Sequence, residues 1–213
     1  MRAFIDFDGV LFDIERAKKE YFQLFQKFGV SAREAVQTYQ DMKEEIGRDE
    51  PTYHVEMLRK RFPKLKDQLL LRAIRNFKTK SKRFVFREAQ EYLKEMRRDG
   101  FELHLVTTGS KEFQSVKIQS SDLKKFFAGI HILNSDYKGE TILKLFKDSL
   151  PKAGGRKAVF IDDKASVTDE VKRCVPQISV IQISRKKGEA LSRKADYVAK
   201  NLLDALGWTR KLV

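Results

Sequence analysis

From Phe84 onward, apolar runs too short for helices alternate with segments of helical periodicity, and this alternation most limits what the chain can fold into. Phe101 to Val106, Ile130 to Leu133, Ala158 to Ile161 and Ile178 to Ile183 read as strands. Between them, Val85 to Arg98, residues 111 to 119, a stretch from Lys138-Gly139 through Leu150, and Ala165 to Cys174 read as helices. Pro151 to Gly155 is a loop, Tyr197-Val198 a short edge strand, and residues 201 to 212 a closing helix. Strands separated by helices predict a parallel sheet covered on both faces, with right-handed crossovers.

A further strand, Met1 to Phe7, opens the chain. The next seventy residues or so depart from the alternation and read as helical throughout. Ile14, Ala17, Tyr21, Phe25 and Phe28 recur at helical spacing and Gly29 closes that helix. Ser31-Ala32-Arg33-Glu34 matches a capping box that starts a second helix to about Ile46. Val55, Leu58 and Phe62 mark a third helix, and Leu65, Leu69, Leu70, Ala73, Ile74 and Phe77 a fourth. The expected organisation is therefore α/β: a Rossmann-like parallel sheet from residues 1–13 and 84–213, with a small all-helical domain, residues 14–83, inserted after the first strand.

A 41% hydrophobic fraction and 16 Phe among 213 residues support a core. The single cysteine, Cys174, excludes an internal disulfide framework and is expected to be a buried structural thiol in a reducing compartment. No apolar run approaches the roughly 18 residues needed to cross a bilayer, and no signal-peptide pattern is present. A soluble cytoplasmic protein is expected. The net charge of +14 draws polyanions and anionic substrates. Its clusters, such as Lys78 to Arg83 and Arg185 to Lys187, match no nucleic-acid-binding motif and read first as a solvated surface.

In an open parallel sheet, ligands bind beyond the carboxyl ends of the strands. The first strand ends in Asp6-Phe7-Asp8-Gly9. Strand alternation would put both carboxylates on one side, where they repel unless a cation or shared proton intervenes. Alone, the pattern fits equally a polar turn in which Gly9 supplies a positive φ. Thr107-Thr108-Gly109-Ser110 comes after the second strand, Lys138 after the third, and Asp162-Asp163 after the fourth. Each has an ordinary reading as a cap or turn. Lys111 competes with Lys138 for the role of site cation; Lys138 is preferred because it precedes a helix and lies one strand beyond Thr107. His54, His104 and His131 are too scattered to suggest a metal cluster.

These four motifs, Asp6-Phe7-Asp8-Gly9-Val10, Leu103 to Thr107, Lys138 and Phe160 to Asp163, resemble those of the haloacid dehalogenase (HAD) superfamily. The resemblance spans nearly the whole chain and is to the phosphatase branch with a helical cap after the first motif. Val10 stands where many members have Thr. The resemblance implies a Mg²⁺-dependent phosphatase for a small phosphomonoester. Asp6 would be nucleophile and metal ligand, and Asp8 the acid and base, giving its backbone carbonyl to the metal. Asp162 would be a direct metal ligand and Asp163 a second ligand or its support. Thr107 and the backbone amides of Thr108, Gly109 and Ser110 would hold the phosphoryl oxygens, and Lys138 would offset charge. Asp8 argues against the dehalogenases, which do not share it.

A phosphomutase of the same family remains open, as does a polyanion- or nucleic-acid-binding module, one acting on nucleotide or nucleic-acid phosphate ends included. A small phosphorylated substrate is the expected partner, with no membrane and no assigned oligomeric state. Basic residues of the helical insertion, including Lys18, Lys19, Arg59 and Arg61, are candidate substrate contacts.

Overall fold

A computed structural model describes residues 1–147 and 158–212. Strands β1 (Arg2–Ile5), β2 (Glu102–Thr108), β3 (Gly129–Leu133), β4 (Ala158–Asp162), β5 (Ser179–Ile183) and β6 (Tyr197–Ala199) form one sheet. The order is β3-β2-β1-β4-β5-β6, and every pairing is parallel. The strand order reverses at β1, where the crevice at the carboxyl ends opens. The α/β expectation holds.

Alternate side chains of β1 enter opposite layers, as a two-residue period requires. Ala3 and Ile5 join a cluster with Tyr92, Leu93 and Met96 of α5 (Ala89–Arg98) and Leu202 and Ala205 of α9 (Leu202–Thr209). Phe4 faces the other layer, with Ile142 of α7 (Gly139–Lys147) and Val167 and Val171 of α8 (Ala165–Cys174). Strand β1 is thus buried on both faces. Helix α6 (Lys111–Gln119) comes directly after β2.

Between β1 and α5 lie α1 (Ile14–Leu24), α2 (Ala32–Ile46), α3 (Pro51–Arg61) and α4 (Asp67–Lys78). The Asp13 carboxylate accepts from the Arg16 amide and starts α1. At α2 both arms of the Ser31/Glu34 capping box form, and the chain leaves at Gly47. The four helices share their own core, which includes Phe22, Phe25, Val55, Leu58, Leu70 and Ile74 and takes in Phe113 of α6. The Ser110 amide also donates to the Asp49 carbonyl at 3.0 Å, so the start of α6 is joined to the helical block.

Several boundaries differ from the sequence expectation. β1 stops at Ile5 instead of Phe7, because the chain turns: the Leu11 and Phe12 amides both donate to the Phe7 carbonyl. The helix expected from Val85 begins at Ala89, because Val85 bridges Phe12 and the Phe86 amide donates to Leu11. The two crossings between the helical block and the sheet thus run side by side. Cys174 is exposed instead of buried. The apolar stripe of α8 runs through Val167 and Val171 to Val175, and Cys174 falls beside it, its thiol on Glu170 at 3.4 Å. The expected extension of α7 to Leu150 and the loop from Pro151 to Gly155 lie outside the described residues. No helix among those described is long and apolar enough to cross a membrane.

His54 of α3 is fully buried, between the rings of Phe25 and Tyr39. Its Nε2 lies 3.1 Å from the Ala35 carbonyl, which can only accept, so Nε2 carries the hydrogen. Nδ1 is buried without a partner, and burial pushes the imidazole pKa down to about 4. The unfolded chain takes up this proton near pH 6.5, whereas the native state refuses it until about pH 4. Stability present above pH 6.5 is therefore lost as pH falls through that window, by about 3 kcal/mol in all. In denaturant titrations at pH 7, 5.5 and 4.5, acidification should cost the native chain up to about 3 kcal/mol more than it costs His54→Phe, a difference that separates the imidazole from the buried acids, whose slope runs the other way. Parallel slopes would refute it.

Candidate active site

The turn after β1 is set by Gly9, at φ +79°. A Cβ there would lie 2.1 Å from the Asp163 carboxylate, so glycine is required both for the backbone and for space. Arg185, just beyond β5, grips this turn from outside. It donates to the Gly9 and Val10 carbonyls at 3.3 and 3.0 Å, pairs with Glu88 at 2.8 Å, and stacks 3.6 Å from the Phe86 ring centroid. Asp8 therefore lies on a turn, not on an extended strand. It still faces the same cavity as Asp6.

That cavity, about 390 Å³, is lined by Asp6, Asp8, Thr107, Thr108, Lys138, Asp162 and Asp163 together with residues of α1 and α2. Gly109 is not in its wall: the Gly109 amide donates to the Leu133 carbonyl at 3.0 Å. With the Ser110 amide held by Asp49, neither of these two amides is free to bind an anion. Lys111 lies elsewhere, on a surface groove beside β3.

Lys138 is buried at the centre. Its Nζ is 2.7 Å from Asp6 Oδ1, 2.7 Å from Asp162 Oδ2 and 3.1 Å from the Val106 carbonyl. Burial disfavours the ammonium, but Asp162 and Asp6 together hold its pKa above the usual lysine value. One lysine cannot neutralise three acids. Burial, with repulsion from Asp162 and Asp8, pushes Asp6 up to about 7. Burial, Asp162 and Asp6 push Asp163 up to about 8.

Asp6, Asp162 and Asp163 can each offer an oxygen so that all three lie within 4.8 Å of one another. The fit to a hard divalent cation is chemical as well as geometric, since such ions take oxygen ligands and offset clustered carboxylate charge. Asp162 accepts from Lys138 at one oxygen and from the Lys164 amide at the other, 2.9 Å away. Asp163 Oδ1 is buried with no hydrogen-bond partner, and Asp6 Oδ2 has none among the described residues.

Two further residues of the site stand outside the four motifs. Lys117 of α6, buried, brings its Nζ to 2.8 and 2.7 Å from the two Asp8 oxygens, with the rings of Phe7 and Phe12 at 5.3 and 5.1 Å. The Gln114 Nε2 lies 2.9 Å from the Thr108 carbonyl, to which it donates, and shares its second hydrogen between Asp8 at 3.2 Å and the Thr107 hydroxyl at 3.3 Å. Their one signal in the sequence is a polar pair three residues apart inside the buried stripe of α6, flanked by Phe113 and Ile118. His104 and His131 prove to be neighbours across β2 and β3, stacked at 5.6 Å, but neither lines the cavity.

A doubly wound parallel sheet that gathers acids around a buried lysine at its switch point has the form of an α/β enzyme site. A model of haloacid dehalogenase-like hydrolases matches residues 2–166, and the chain belongs to that family. No curated protein matches the sequence. Among solved structures, a haloacid dehalogenase-like hydrolase of Burkholderia xenovorans superposes with a TM-score of 0.79 at 16% identity, over 99% of this chain and 97% of that one. An L-2-haloacid dehalogenase of Xanthobacter autotrophicus gives 0.72 at 11% identity, over 100% and 99%. A HAD phosphatase of Thermococcus onnurineus gives 0.64 at 20% identity, over 98% and 97%. The fold is thus common to proteins of different chemistries.

Proposed function

We propose that the chain is a Mg²⁺-dependent phosphatase that hydrolyses a small phosphomonoester through an aspartyl-phosphate on Asp6. The observation that carries this reading is the cluster of buried Asp6 and Asp162 with half-buried Asp163, held by a single lysine and with an unpartnered Asp163 oxygen. Asp6, Asp162 and Asp163 would hold the ion, with the Asp8 carbonyl. When bound, Mg²⁺ would offset the repulsion between an anionic nucleophile and an anionic phosphoryl group. The carbon attacked in a dehalogenation carries no anionic oxygens of its own, unlike phosphorus in a phosphoryl group, so the acid cluster favours phosphoryl chemistry over dehalogenation.

Asp6 Oδ1 is held by Lys138, which leaves Oδ2 as the attacking atom. As the bond from Oδ2 to phosphorus forms, the bond to the leaving oxygen breaks, and that oxygen takes its proton from Asp8. Water then attacks the phosphorus, gives a proton to Asp8, and releases phosphate and the Asp6 carboxylate. Lys117 and Gln114 fix the Asp8 carboxyl between these transfers. Thr107 and Thr108 line the phosphoryl side of the cavity. Residues 14–83 would act as the cap, excluding water and contacting the rest of the substrate.

A panel of phosphate esters, assayed with Mg²⁺ and with chelator, tests the reading. Phosphate release that requires Mg²⁺ is the expected result. Release of halide from 2-haloacids, with no ester hydrolysed, would overturn it.

A further inference from the structure

The cavity wall contributed by the helical block carries charge that the protein itself does not neutralise. Four lysines line the cavity: Lys18, Lys43, Lys138 and Lys164. Lys138 is paired with Asp6 and Asp162, and Lys164 with Asp136 at 2.7 Å. Lys18 lies 3.8 Å from Glu15. Lys43 differs from these three. Among the described residues no carboxylate lies within 4.0 Å of it, and its only hydrogen bond is to the Gly47 carbonyl at 3.4 Å. It is half-buried, and burial lowers its pKa even though Asp136 and Asp49 act in the other direction.

One turn earlier on α2, Tyr39 lines the same cavity. Its ring is seated against Phe22 and His54. Its hydroxyl makes no hydrogen bond among the described residues. Residues four apart on a helix share a face, so α2 presents an ammonium with no carboxylate partner and an unused hydroxyl to the same cavity. Both are donors. Outside the Asp6–Asp162–Asp163 cluster, each carboxylate of the cavity already has a lysine within 4.0 Å: Asp8 has Lys117, Asp136 has Lys164, Asp49 has Lys78 and Glu15 has Lys18.

We infer that the substrate carries a second anionic group besides its phosphate, and that Lys43, assisted by Tyr39, is the residue that selects for it. The inference rests on the phosphatase reading. A partly buried cation with no partner is costly, and a ligand anion relieves that cost. A neutral substrate tail would leave both donors unanswered, and sites built this way discriminate against ligands that lack the matching group. The cavity volume of about 390 Å³ restricts the ester to a small molecule. Lys43 also displaces the more conspicuous basic residues of the insertion from this role. Arg59 and Arg61 are held by Asp67 and Asp41 at 3.1 and 2.8 Å, and Lys19 is exposed outside the cavity.

The test compares three esters of one three-carbon scaffold: propyl phosphate, 3-phosphooxypropionate and propane-1,3-diyl bisphosphate. Wild-type enzyme with Mg²⁺ should prefer an anion-ended ester over propyl phosphate by roughly 10- to 100-fold in kcat/KM, mostly through KM. The carboxylate and phosphate arms show which anion is taken. In Lys43→Met the ratio should collapse towards one, and in Lys43→Arg it should be largely kept. Tyr39→Phe should lower it less than Lys43→Met does. Equal use of all three esters by the wild type, or a ratio that survives Lys43→Met, overturns this inference and leaves the phosphatase reading standing. Absence of hydrolysis across the whole ester panel overturns both.

Discussion

Asp6→Asn should lower phosphomonoester turnover by about 10,000-fold or more without loss of the fold. The magnitude is that of removing a nucleophile from a site whose residues act as a unit. The amide keeps the shape of the side chain, and Lys138 keeps Asp162 and the Val106 carbonyl. The stability side separates chemistry from misfolding. Asp6 has its carboxyl pKa pushed up by burial and by the neighbouring acids. A raised carboxyl pKa means that the native state binds this proton more tightly than the unfolded chain. Stability is then lost as pH rises from about 4 through about 7. Removal of the charge should therefore leave the melting temperature at pH 8 unchanged or higher. Inactivity with an equal or raised melting temperature supports the nucleophile assignment. Retained turnover in pure Asp6→Asn protein refutes it.

How much of the fold and the site is legible in the sequence depends on distance along the chain. The alternation after Phe84 is enough for the parallel sheet, because each strand and helix is encoded locally by its apolar period. The capping box at Ser31 and Glu34 and the stop at Gly47 are equally local, and both form. The sequence carries the first strand on to Phe7 and leaves Asp8 equally at a strand end or on a turn, whereas the strand stops at Ile5 and Asp8 is on the turn. Phe7 continues the apolar alternation, and only the fold shows its carbonyl accepting two amides from Leu11 and Phe12. The four motif segments can be placed at strand ends, and the structure brings their side chains to one cavity, apart from Gly109. Lys117 and Gln114 leave only a faint signal in the sequence, because a helical polar pair reads as solvent-facing even beside Phe113 and Ile118. Its partner, Asp8, is 109 residues from Lys117. Lys43 is hidden for the opposite reason. More conspicuous basic residues surround it in sequence, and only three-dimensional pairing shows Arg59 and Arg61 already neutralised.

Lys138→Met should be the most destabilising change in the site, and its cost should grow with pH. Lys138 is the cation between Asp6 and Asp162, both buried. Removing one partner of a buried ion pair leaves the other uncompensated and costs about 3–5 kcal/mol. The carboxyls can reduce that cost by taking up protons, which they do more readily at low pH. The variant should thus lose several kcal/mol relative to the native chain at pH 8 and distinctly less at pH 5.5, by urea denaturation at each pH. A loss equal at both pH values would mean that Lys138 acts through packing alone. The proposed cation site adds a second signature. A ligand that binds only the native state raises its stability with concentration. Millimolar Mg²⁺ at pH 8 should therefore recover part of what Lys138→Met loses, as a divalent charge answers carboxylates that no longer have their lysine. Recovery with Mg²⁺ but not with matched NaCl would support a divalent cation held by the carboxylates that Lys138 leaves unpaired, without recourse to activity. No recovery in either salt would count against the ion being held there.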